Sequence, residues 1–196
     1  MIVIPCANAC CGCMNNRHNA AHYLMRALGS RVSGIKWSLH FGEGLLFWRG
    51  AGDSLTLIWP LTTYNNTGSA VKAAVALCNA SAEEVVLVHD DLDLALGKWK
   101  FVPAAAQGGV AGNNGVRSTI DALGTKSFNR LKIGVGALDD STHRKRRRAP
   151  KGSCTWFSVV WNLMKPFSST EQHVLTDTVV ELAADHLFAM SDQMTR

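Results

Sequence analysis

No stretch of this 196-residue chain approaches the ~18 consecutive apolar residues that a membrane helix needs. No charged segment followed by a long apolar run opens it, so no secretory signal is visible. No membrane association is expected, and a soluble, reducing compartment with free thiols is the simplest expectation. Charged residues make up only 18% of the chain and apolar residues 47%, a globular balance that excludes a disordered tether. There is no internal repeat and no linker that would split the sequence. The glycine-rich stretch Gly108–Gly115 lacks the Gly-Lys-Ser/Thr ending of a Walker nucleotide loop. The six cysteines lack a clean pair of Cys-x-x-Cys knuckles, which argues against a zinc ribbon.

What is present fits one domain spanning residues 1–196. A chain of this length buries roughly 70% of its unfolded surface and needs no metal or disulfide to hold a core. The net charge is +5, and the excess is local. His143, Arg144, Lys145, Arg146, Arg147 and Arg148 form one run with Lys151 close behind, inside a loop insertion at about 139–154. Such a run is read as a phosphate-contact patch, with a nuclear-import signal or a plain solvated loop as the alternatives.

Apolar periodicity predicts a strand at Ile2–Ile4 and a helix from about Asn19 that Gly29 ends. It predicts a hairpin of Leu45–Trp48 and Leu55–Trp59 turning at Gly50–Asp53, and a helix over Ser69–Leu77. Val85–Val88 reads as a central strand covered on both faces. Lys98–Val102 is a further strand, and Ala104–Asn114 a mobile loop. Asn114 then opens a helix that Gly124 closes, and Leu131, Ile133 and Val135 alternate as a strand. Ser168–Glu171 is a capping box for a last helix burying Leu175, Val179, Leu182 and Leu187. This order predicts an α/β fold: one domain, a mixed, twisted β-sheet with helices on both faces.

Four segments carry candidate chemistry. Asn8 follows the first strand, where open α/β sheets place ligands, and His18 sits at the mouth of the next helix. A neutral imidazole there can take a proton from water. His89-Asp90-Asp91-Leu92-Asp93 follows the apolar strand, so one of its carboxylates can orient His18. Asn114 ends the glycine-rich stretch at a helix mouth, and Asn65 lies in Tyr64-Asn65-Asn66-Thr67-Gly68 before another helix. Taken singly, these residues read equally well as a surface histidine, an acidic turn and helix caps.

Their order and spacing together resemble the bacterial-type peptidyl-tRNA hydrolase family. That family carries an Asn after strand one and then Arg-His-Asn, here Asn8 and Arg17-His18-Asn19 at the same interval. Met-Asn-x-Ser-Gly corresponds to Tyr64–Gly68, His-Asp-Glu-Leu-Asp to His89–Asp93, and Gly-Gly-x-x-Gly-His-Asn-Gly to Gly108–Gly115. Phe128–Gly136 also fits, and the likeness resumes near Lys165–Gln172.

The resemblance implies hydrolysis of the ester between peptide and tRNA, with no metal and no cofactor. It implies His18 as the base and Asp90 as its partner. Asn8, Asn65 and Asn114 would bind the peptide end or position the water. Lys132 matches a position used against the tRNA 5′ phosphate. A second basic position of that phosphate site falls on Val102, and Lys98 or Lys100 is its expected substitute. The implied partner is peptidyl-tRNA. A cytoplasmic monomer with no obligate protein partner is expected, or an organellar one such as a mitochondrial enzyme freed of its presequence.

The pattern is broken in places. Gly-Asn-Pro-Gly becomes Ala7-Asn8-Ala9-Cys10, an aromatic position becomes Cys13, and the His before the last loop Asn becomes Asn113. Cys6, Cys10, Cys11 and Cys13 are read as free thiols, with Cys10 or Cys13 oxidation-sensitive, in preference to a zinc site completed by His18 or His22. These departures leave one alternative from another class: an RNA-binding adaptor, similar to organelle splicing factors on this fold, that has lost turnover. A peptidase would need a nucleophile, and Cys78 and Cys154 fall in a helix and near the variable loop.

Overall fold

The structure is a computed structural model that describes residues 1–9, 15–32, 36–40, 45–49, 55–110, 112–136, 161 and 163–194. Cys10, Cys11, Cys13, the predicted turn at 50–53, Cys154 and the basic run with Arg146, Arg147 and Arg148 lie outside those residues. Seven strands form one mixed sheet in the order β2-β3-β4-β1-β5-β7-β6. They are β1 (Ile2–Pro5), β2 (Lys36–His40), β3 (Leu45–Arg49), β4 (Thr56–Pro60), β5 (Val85–Ala95), β6 (Trp99–Val102) and β7 (Asn129–Gly136).

The four inner strands β4, β1, β5 and β7 run parallel. Ile2, Val3, Ile4 and Val85 to Val88 are all buried, as expected of strands covered on both faces. The hairpin β3–β4 is antiparallel, and β6 returns antiparallel along β7. A strand absent from the sequence reading, β2, extends the hairpin edge.

Alternation along the strands feeds two cores. Val3, Val86, Val88, Leu131 and Ile133 face helix α1 (Ala21–Arg31) and the C-terminal helical segment. Ile2, Ile4, Val85 and Leu87 face α2 (Thr67–Cys78) and α3 (Asn114–Leu123). Helices α2 and α3 approach closely at Gly68, where a Cβ would sit 2.0 Å from the Ser118 carbonyl oxygen. No side chain fits at that position.

Three features differ from the sequence reading. Helix α1 continues through Gly29 to Arg31, because Leu28 and Gly29 are still buried and tertiary packing outweighs the glycine's low helix propensity. Strand β5 does not end at Val88 but carries His89, Asp90 and Asp91 within the sheet, paired with β7. Leu182 is exposed rather than buried. The C-terminal segment consists of α4 (Ser169–Val174), a π-helical stretch at Leu175–Val180 and α5 (Glu181–Met194). The wider turn shifts the phase, so Val180, Ala183 and Ala184 point inward in its place. The capping box of Ser168 and Glu171 is present.

One core histidine makes stability depend on pH. His22 on α1 is 2% exposed, its ring centroid lies 4.6 Å from that of Trp59, and its Nδ1 has no partner among the described residues. Burial, reinforced by the charge of Arg26, pushes its pKa down from 6.5 to about 4. The unfolded chain therefore binds the proton first. Stability is complete above about pH 6.5 and falls by about 3 kcal/mol as pH drops through about 4. Urea unfolding at about pH 7 and about pH 4.5 should show a smaller loss in His22→Leu than in the parent chain. Equal losses would assign the acid sensitivity to other groups.

Candidate active site

The site forms where the chain changes direction in the sheet. β1 lies between β4 and β5, and the helices that follow β1 and β4, α1 and α2, cover opposite faces of the sheet. Asn8 emerges there from β1. Its Oδ1 accepts the Tyr64 backbone N–H at 2.9 Å, and its own N–H donates to Asn19 Oδ1 at 2.8 Å. Its Nδ2 remains outside any bond among the described residues. The third residue of Arg17-His18-Asn19 is thus a fully buried brace for the loop that presents Asn8.

His18 sits in a 3-10 turn, Arg17–Asn19, just ahead of α1. That turn is tied to the far end of the chain. Asn16 bridges to Pro166, Arg17 N–H donates to the Lys165 carbonyl at 3.2 Å, and Phe167 N–H donates to that of Asn15 at 3.1 Å. The Arg17 guanidinium pairs with Glu171 and lies 5.1 Å from the Phe167 ring centroid. Burial raises the Glu171 carboxyl, but the Ser168 amide, Arg17 and the Ser168 hydroxyl outweigh it, and the net shift is downward. This explains why the sequence pattern resumes near Lys165–Gln172: that segment holds the turn that carries His18.

His18 Nδ1 lies 3.1 Å from Asp90 Oδ2. The Asp90 side chain is 4% exposed and that of His18 is 22% exposed. The carboxylate therefore fixes Nδ1 as the protonated ring nitrogen and leaves Nε2 with a lone pair within reach of water. The second Asp90 oxygen accepts the Tyr64 hydroxyl at 2.5 Å. The Tyr64 ring stacks on the imidazole, centroids 3.7 Å apart at 20°. Burial, together with the charge of Asp90, pushes the Tyr64 phenol well upward, so it stays protonated and donates.

Asn113 caps α3, its Oδ1 accepting the Val116 N–H at 3.0 Å. Its Nδ2 donates to the Tyr64 hydroxyl oxygen at 2.5 Å. The same nitrogen is 3.2 Å from His89 Nδ1, which is itself 2.8 Å from the Asp90 carbonyl. One ring nitrogen cannot donate and accept at once, and the shorter contact assigns Nδ1–H to the carbonyl. Burial lowers the His89 pKa, against opposing effects of the Asp90 carbonyl and carboxylate, so its neutral form is favoured.

The N-terminus of α3 fits against this cluster because Gly115 has no side chain. A Cβ there would lie 2.7 Å from Cys6 Sγ and 3.0 Å from the Tyr64 ring. Asn114, between Asn113 and Gly115, is thereby held at the rim of the site. Both Asn114 and Asn65 are exposed, with side-chain amides unbonded among the described residues. Asn8 bonds the Tyr64 backbone, and Asn65 and Asn114 are the chain neighbours of Tyr64 and Asn113.

Lys132 on β7 pairs with Asp91 at 2.9 Å, and Lys100 on β6 sits directly opposite it in the ladder, exposed. Cross-strand partners share a face, so the two cations stand side by side. Val102 is opposite Arg130 on that same face. Arg130 is buried and donates to the Gly109 carbonyl at 2.8 Å. Among the described residues no group of three or more His, Cys, Asp or Glu is placed to hold a metal ion. Cys6 is buried, and burial with the Asp90 charge pushes its thiol far up, which makes it inert.

The sequence reading did not assign roles to the Tyr64 hydroxyl, Asn113, Asn19 or Asp91. Asn113 was legible as a cap, since it immediately precedes a helix. The others depend on partners distant in sequence.

The model of the family described as peptidyl-tRNA hydrolase matches residues 3–196. The chain is 34% identical over 177 residues to the peptidyl-tRNA hydrolase of Exiguobacterium sibiricum, covering 88% of this chain and 85% of that protein. It is 36% identical over 182 residues to that of Synechococcus sp. (strain CC9902), covering 90% and 80%. The solved structure of peptidyl-tRNA hydrolase from Acinetobacter baumannii shares the fold with a TM-score of 0.78 at 22% identity, over 99% of this chain and 89% of that one.

Proposed function

The chain belongs to the peptidyl-tRNA hydrolase family, and we propose that His18 is the base with which it cleaves the ester joining peptide to tRNA. The observation that carries this reading is the His18–Asp90 bond, with Nε2 unbonded among the described residues. Nε2 takes a proton from water as the water oxygen attacks the ester carbonyl. Asp90 stabilises the imidazolium that forms. An amide N–H of Asn8 or Asn114 stabilises the oxyanion, a contribution worth about 2.7–4 kcal/mol in comparable sites. The imidazolium then returns its proton to the departing ribose oxygen, leaving a peptide acid and free tRNA.

The adaptor alternative is not favoured, because the pair that a non-catalytic adaptor could discard is intact and buried around its carboxylate. The His18–Asp90 pair forms within one chain, which suits action as a monomer. A substrate made by translation suits the cytoplasm, or an organelle matrix.

Release of an N-blocked aminoacyl group from tRNA by the parent chain and by His18→Ala tests the reading. Equal rates would end it. Phosphate contact by Lys100, Lys132 and the run at Arg146, Arg147 and Arg148 is tested separately through the salt dependence of tRNA affinity. Each Lys→Ala variant should reduce the slope of log affinity against log salt by about 1. The triple Arg→Ala variant should flatten it further. A slope unchanged by the triple variant would assign the run to another role.

A further inference from the structure

We propose that Tyr64 is a positioning residue for the base: its hydroxyl holds Asp90, its ring supports the His18 imidazole, and Asn113 sets where the hydroxyl points. The inference rests on His18 being the base. It begins with an amide whose orientation is fixed. Asn113 Oδ1 caps α3 by accepting the Val116 N–H, so Nδ2 must be the atom that faces Tyr64. That N–H donates into the phenol oxygen, and the phenol proton is directed to Asp90 Oδ1. The other carboxylate oxygen is thereby reserved for His18. The result is a one-directional chain of donors running from a helix N-terminus to the catalytic carboxylate.

Tyr64 is itself immobilised. Its N–H donates to Asn8, its carbonyl accepts the Thr67 hydroxyl at 2.8 Å, and its ring abuts the glycine at 115. The residue also links the base to Asn8, so catalytic and binding groups share one support. Two positions at which the sequence departs from the family pattern, Tyr64 for Met and Asn113 for His, thus meet in a single hydrogen bond.

The phenol takes up part of the Asp90 charge, which otherwise stabilises only the imidazolium. Removing the hydroxyl leaves the carboxylate freer to hold the proton on His18. The ionisable groups in contact with His18 among the described residues are Asp90 on β5 and Tyr64; Cys6 on β1 lies against Tyr64, and Arg17, the chain neighbour of His18, is paired with Glu171. Asp91 is neutralised by Lys132, and burial favours the neutral form of His89. Asp90 and Tyr64 are therefore the groups to which the base responds.

Tyr64→Phe keeps the stacked ring and deletes the hydroxyl. Its kcat should fall about tenfold with KM little changed. The acidic limb of its kcat/KM profile should move up by about half a pH unit. Asn113→Ser keeps a cap for α3 but withdraws the donor from Tyr64, and should shift both quantities in the same direction by less. The double variant should add little to Tyr64→Phe. NMR titration of the imidazole, with the signal identified by its loss in His18→Ala, should show the same upward movement without reference to turnover. A Tyr64→Phe enzyme with lower thermal stability but unmoved kcat and pH profile would make Tyr64 structural only and overturn the proposal. If Tyr64→Phe does not fold, an unshifted Asn113→Ser decides against it. Full activity in His18→Ala would instead overturn the base assignment, so the two failures are distinguishable.

Discussion

His18→Ala is expected to reduce kcat/KM for peptidyl-tRNA by about 10³-fold, within the 10²–10⁴ range of a positioned general base. Affinity for the tRNA body should change little. The imidazole is engaged with Asp90 and stacked on Tyr64, whereas Lys100 and Lys132 stand on the β6–β7 face. The loss should therefore appear in kcat, with KM nearly constant, as for an interaction realised only in the transition state. Single-turnover release of an N-blocked aminoacyl group, paired with a tRNA binding curve, separates the two. Residual turnover at the parent rate, or a loss confined to KM, would refute general-base catalysis by this residue. The thermal midpoint should move little, because the side chain is partly exposed and its only hydrogen bond among the described residues is to Asp90.

Asp90→Asn should be at least as damaging, for a reason specific to this geometry. In the parent chain Tyr64 donates to one carboxylate oxygen and His18 Nδ1–H to the other. An amide has one oxygen, and the phenol, pushed toward its protonated form by burial, claims it. The NH2 then faces His18 Nδ1 and donates to it, which drives the ring proton to Nε2. The nitrogen that must accept a proton from water has lost its lone pair. A comparable tautomer reversal in a serine protease triad costs about 10⁴ in kcat, and a loss of about 10³ or more is expected here. Asp90→Ala forces no wrong tautomer and should retain more activity than Asp90→Asn. Equal kcat in the two variants would show that Asp90 acts through its charge alone, and the opposite ranking would overturn the tautomer argument.

Much of the site was legible in the sequence because its parts sit at element ends. Asn8 follows a short apolar run, His18 precedes a periodic helix, and Asn114 opens another between a glycine-rich stretch and Val116. Each of these positions is set by local pattern, and the resemblance supplied the pairing of His18 with Asp90. The paired cations were half-legible. Lys132 came from the motif, but choosing between Lys98 and Lys100 required the β6–β7 register, which puts Lys100 opposite Lys132. The outcome at Leu182 was not legible. A π turn at Leu175–Val180 changes the phase of the helix that follows, and a 3.6-residue period assumes no such turn.

The sequence by itself determined the order of strands and helices apart from β2, a mixed sheet with helices on both faces, and the candidate imidazole and acidic motif. Those follow from apolar period, turn residues and motif spacing, all of which act over short ranges of chain. The tertiary structure alone decided that the Tyr64 phenol takes the second oxygen of Asp90, and that Asn113 directs it. It also decided that the segment from Lys165 to Glu171 braces the turn bearing His18. A hydrogen bond needs atoms within about 3 Å. Which residues from distant parts of the chain come that close is settled only when the sheet order brings their elements side by side.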